Sequence, residues 1–201
     1  MAEAGCAGSS RGAGYGRVLL EPRRHLRIGR LDRLATREAL LRPFEAEDVA
    51  IEESVVAEVE RLSHGYPFFI QILGQVLWKH AAPPGGPGRV TDGVLEAALP
   101  AFEQRKGHYY RQRFDELRRR RLLRAAHSVA TAFRGCDFLT LFEVESVIRR
   151  ASGDSSDPAV AQGTENALSD LGFIWATSPV PGWEPGIPSL MDYILEFAPA
   201  G

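Results

Sequence analysis

Lysine is almost missing from this chain. Of 24 basic residues only Lys79 and Lys106 are lysines, and neither follows a glycine-rich turn. No Gly-x-x-x-x-Gly-Lys-Ser/Thr string occurs, so there is no loop to cradle phosphates and no hydroxyl to hold magnesium. Gly12, Gly14 and Gly16 form a glycine-rich stretch, but they read as flexible tail, because no strand precedes them and Arg17 opens no helix. Nucleotide hydrolysis by this chain alone is therefore not expected.

Cysteine is scarce as well. Cys6 and Cys136 have no partners at metal-ligand spacing, which argues against a disulfide framework or a zinc site. The histidines, His25, His64, His80, His108 and His127, form no His-Glu-x-x-His pattern. A Gly-x-Ser-x-Gly elbow is missing, so a serine hydrolase has no anchor. Long apolar runs are lacking too. The richest stretch, Phe68 to Trp78, is interrupted by Gln71, Gly74 and Gln75 and is too short to span a bilayer. The N-terminus lacks the apolar centre of a secretory signal, so we expect a cytoplasmic protein with no membrane partner. A net charge of −2 argues against generic polyanion binding.

What is present is a succession of helices. Residues 1–26 read as a disordered or remnant segment, with a short strand suggested by Arg17 to Leu20. The spacing of Leu34, Ala35 and Leu41 predicts a helix over 31–42, stopped by Pro43. Val55, Val56, Val59 and Leu62 predict a second over 51–63. Gly65 stops it, and Pro67 suits the first turn of a third, over 67–81, that is apolar on most sides. After a Pro/Gly loop over 83–88, Thr91 caps a fourth helix, with a break near Pro100, reaching about Leu117.

The second half changes rhythm. Helices are expected over 117–133, 141–151 and 158–171, with a polar loop over 153–157 and Gly172 as a terminator. Phe173 to Thr177 and Trp183 to Ile187 form a strand pair, and Ser189 to Phe197 a closing helix. Three helices followed by a β-hairpin is the winged-helix arrangement. The fold class is therefore mainly α, with a helical bundle over 27–113 and a winged-helix domain over 114–201.

Two phrases carry a resemblance. Leu31 to Pro43 is followed by Ser63-His64-Gly65-Tyr66-Pro67 and an apolar helix containing Trp78. Together they resemble the lid subdomain of bacterial and archaeal ATPases of the STAND/initiator branch of the AAA superfamily, where a winged helix commonly follows. The ending Gly186 to Tyr193 is also similar to that group's C-terminal signature. The resemblance covers roughly Arg27 to Phe197. It implies that Gly65, Tyr66 and Pro67 lie near the adenine of a bound ATP. It further implies that the phosphate-binding core is missing from a truncated product or supplied by a separate ATPase subunit. On the residues alone, the same turn reads equally as a plain junction capped by Gly and Pro.

A second functional reading is a stand-alone winged-helix DNA-binding regulator. Between Arg105 and Arg124 stand nine basic residues and two acids, Asp115 and Glu116. The candidate nucleic-acid contacts are Arg118, Arg119, Arg120 and Arg121, although four consecutive helical positions point in all directions. On the helix expected to enter a major groove, Gln162 and Asn166 suit adenine, whereas Glu165 and Asp170 would oppose phosphates. That opposition favours protein packing over DNA for this helix.

Overall fold

The computed structural model describes residues 29–81, 88–153, 158–177 and 179–198. The tail and strand expected before residue 27, with Cys6 and His25, lie outside the described residues, as do 83–87 and 154–157 of the two expected loops.

The chain is mainly helical. α1 (Arg33–Glu45) starts where the Asp32 carboxylate accepts from the Ala35 N–H at 2.7 Å. Pro43 does not stop it as expected. The ring sits at an exposed position in the last turn of the helix. α2 (Glu53–Ser63) buries Val55, Val56 and Val59 on one face. α3 (Pro67–Ala81) buries residues nearly all round, including Phe69, Leu73 and Leu77, and is the central rod of the first half.

α4 (Asp92–Arg119) is 28 residues long, about 42 Å at 1.5 Å per residue. Thr91 caps it, as expected, accepting from the Val94 N–H at 3.4 Å. Pro100 does not break it, because that position is solvent-exposed. The boundary placed at 113/114 falls inside this helix, which carries the first half into the second without a linker. The single helix expected over 117–133 is instead two. α4 ends at Arg119, Arg121 turns through a left-handed φ of 59°, and α5 (Leu123–Ala132) begins.

α6 (Leu141–Ala151) opens on a reciprocal capping box between Thr140 and Glu143. α7 (Pro158–Asp170) ends at Gly172, whose φ is 70°. α8 (Pro188–Phe197) closes the chain's described part.

Among the described residues, five short strands accompany the helices. β1 (Ala50–Ile51) pairs in parallel with β2 (Arg89–Val90), holding the α1–α2 connection against the start of α4. β3 (Leu139–Thr140), β4 (Ile174–Ala176) and β5 (Gly182–Pro185) form an antiparallel sheet in the order β3-β5-β4. The hairpin β4–β5 is the expected one; β1, β2 and β3 are additional. One continuous apolar cluster runs from Leu40 and Val59 through Phe102 and Leu117 to Ile148 and Ile194, so the two halves share a core.

Candidate functional site

The turn between α2 and α3 is built by two consecutive left-handed residues, His64 at φ 50° and Gly65 at φ 72°. Gly65 is pinned: its carbonyl accepts from the Leu31 N–H at 2.9 Å, and a Cβ there would lie 2.3 Å from the Leu31 carbonyl oxygen. Only glycine fits both the dihedral and the space. The Ser63 hydroxyl accepts from the Gly65 N–H at 3.3 Å, and the Ser63 carbonyl from the Tyr66 N–H at 2.8 Å. Burial, and then the positive charges of Arg30, Lys106 and Arg61, hold the His64 imidazole below its ordinary pKa.

The three expected nucleotide-side residues part company here. Tyr66 turns toward the second half. Its hydroxyl shares a hydrogen bond with that of Tyr109 at 3.1 Å, and its ring stacks on Trp175 of β4 at 5.8 Å. Burial, followed by the neighbouring Tyr109, pushes the Tyr66 phenol well above its usual pKa, so it stays neutral. One residue along α4, the Tyr110 hydroxyl donates to the Ser189 hydroxyl at 2.5 Å, tying α4 to α8. Burial pushes the Tyr110 phenol up to about 12.

Pro67 turns the other way. It lines an apolar groove of about 770 Å³ between α1 and α3, with Leu31, Pro43, Phe44, Ile70 and Trp78. Phe44 meets Trp78 edge-on at 5.3 Å. Gln71, Gln75, Glu47 and Lys79 supply its polar rim. Gly65 lines no described groove and sets the backbone path. Phe44 carried no functional signal in the sequence, because only the packing of α1 on α3 makes it a wall.

The four-arginine run is half neutralised, by two acids. Asp115 pairs with Arg118 at 3.8 Å, and Glu116 pairs with both Arg119 and, at 2.6 Å, Arg120. These cations also lie at the C-terminal end of α4, where the helix dipole favours positive charge. Arg119 and Arg120 share a cleft with Asp170 and Leu171. Gln162 lines a different one, with Glu145, Glu165 and Trp183. Gln162 donates to Asn166 at 3.3 Å on the exposed face of α7. Glu165 does not face outward as expected. It is 5% exposed, and burial followed by Glu145 raises its pKa.

Among the described residues no three His, Cys, Asp or Glu side chains gather to hold a metal, and no helix is long and apolar enough to cross a membrane. Compared with known proteins, the chain matches no family model, no curated relative and no solved structure.

Proposed function

We propose that the chain is a nucleotide-responsive relay, a lid-like bundle joined to a winged-helix-like unit. It works by packing on a P-loop ATPase core carried elsewhere, in the cytoplasm, and does not hydrolyse ATP alone. The observation that carries this reading is the division of labour at the turn. Pro67 opens onto the apolar α1–α3 groove, while the adjacent Tyr66 is stacked on Trp175 in the β-hairpin. A body seated in the groove would thus press on one side of a rigid turn whose other side holds the second unit. The order α5-β3-α6-α7-β4-β5, with β5 between β3 and β4, supports the winged-helix part of the reading.

The test has two arms. Calorimetry with ATP and magnesium on the isolated chain should give no binding tighter than about 1 mM, roughly −4 kcal/mol. Affinity capture from the source cell, with and without ATP, should recover a protein carrying Gly-x-x-x-x-Gly-Lys-Ser/Thr, in amounts that depend on the nucleotide. Tight ATP binding by the chain alone, or capture that ignores nucleotide, would overturn the proposal.

A further inference from the structure

A second groove, about 470 Å³, runs between α3 and α4. It shares only Gln71 and Gln75 with the α1–α3 groove. Its α4 wall carries Arg105, His108 and Arg111, on successive turns of one face. No carboxylate lines it.

The charge state of those cations separates them from the four-arginine run. Arg105 donates to the Gln75 side-chain oxygen at 2.9 Å, a neutral acceptor that leaves its charge uncompensated. Arg111 is exposed, and no acid among the described residues pairs with it. Lys106, by contrast, is held by Glu103 at 2.8 Å. The groove therefore holds positive charge that no acid pairs with, whereas three of the four arginines at the helix end are ion-paired.

The groove also offers an exposed aromatic ring. Phe68, 38% exposed, is backed by Tyr109 with ring centroids 4.7 Å apart, and the Arg113 guanidinium lies over the Tyr109 ring at 5.1 Å. Gln71, Gln75, Gln104 and Gln112 surround it. Gln75 is engaged by Arg105 and Gln112 by His108, each at 2.9 Å, while the amides of Gln71 and Gln104 can both donate and accept at the edge of a base. An aromatic platform beside unpaired arginines is the pattern that holds unpaired bases and their phosphates. A duplex keeps its bases stacked inside and cannot use the platform.

We propose that the α3–α4 groove binds a nucleotide unit of single-stranded nucleic acid, with a base on Phe68 and its phosphate between Arg105 and Arg111. The site is independent of the ATPase-core reading, since it needs neither the core nor the groove at Pro67.

Fluorescence anisotropy of a short labelled oligothymidylate, titrated with the full chain at several salt concentrations, tests this. One neutralised phosphate predicts a log–log salt slope of about −0.7 for a single strand. Arg105→Gln with Arg111→Gln should flatten that slope and weaken binding at least about tenfold at low salt. Phe68→Leu should keep the slope yet weaken binding by about five- to a hundredfold, the range for one lost stack. If the double variant melts early, Arg111→Glu at its exposed position gives the same readout. A duplex of the same sequence should bind more weakly than the strand. No anisotropy change at low salt would overturn the proposal, as would undiminished binding in these variants. Competition by free thymidine monophosphate as strong as by the oligonucleotide would overturn the strand assignment in favour of a free nucleotide.

Discussion

The ring of Tyr66 lies on that of Trp175, centroids 5.8 Å apart and planes 28° from parallel. One residue closes the turn between α2 and α3, and the other stands in β4, so the stack joins the two halves of the chain. A double-mutant cycle with Tyr66→Leu and Trp175→Leu should return a coupling of about 0.5–1.5 kcal/mol in chemical denaturation. Tyr66→Phe keeps the ring and loses the hydrogen bond to Tyr109, so it should cost about 0.5–1.5 kcal/mol. Additive single losses would mean that the turn and the hairpin do not communicate.

The backbone at Gly65 invites a paired comparison with Gly135. Both have positive φ, 72° and 83°, but a Cβ at 135 meets nothing within 4 Å while one at 65 meets the Leu31 carbonyl at 2.3 Å. Gly135→Ala should cost only the left-handed penalty, about 1 kcal/mol. Gly65→Ala adds a backbone clash that no rotamer relieves and should cost about 3 kcal/mol. Equal losses in thermal melts would show that the Leu31 contact does not constrain the turn.

The elements whose ends are written locally are the ones legible in the sequence. α3 and α6 have the expected bounds, because Gly65 and Pro67 fix the first and the apolar spacing of Val144 and Ile148 the second. The two prolines misled for one reason: Pro43 and Pro100 both sit on exposed edges, and exposure is a tertiary property. β1, β2 and β3 have two residues each, too few to show a period, and exist only through their partners. At the candidate site, the turn was readable but the directions of its side chains were not, since Trp175 and Tyr109 reach Tyr66 only in the folded chain. The inward face of Glu165 was similarly hidden.

That inward face has a pH signature. Burial, and then Glu145, raises the Glu165 carboxyl above its unfolded value of about 4.3. A raised folded pKa means the protonated form suits the fold. Its contribution is full below the unfolded value and is lost as pH rises through the folded one. At neutral pH the charged carboxylate is a burden, which Glu165→Gln removes. The variant should melt above the wild type near neutral pH, and the gap should close as pH falls to about 4. A variant that melts lower at every pH would indicate that the ionised carboxylate makes a favourable contact.

The arginine run makes the last comparison. Asp115 and Glu116 pair with Arg118, Arg119 and Arg120, so about half of the run's charge is already engaged and less is left for phosphates. Changing Arg118 to Arg121 together to glutamine should then weaken duplex DNA binding only modestly in low-salt gel shifts. Glu116→Gln does the reverse, because it releases Arg119 and Arg120 at once. Two freed guanidiniums should steepen the log–log salt slope for a duplex by about 1–2. Loss of salt-dependent duplex binding in the four-glutamine variant would restore the stand-alone DNA-binding regulator as the better reading. It would also mean that the ion pairs open readily, as exposed pairs worth about 1 kcal/mol or less can. The two variants together therefore separate a helix end capped by charge from a surface held ready for DNA.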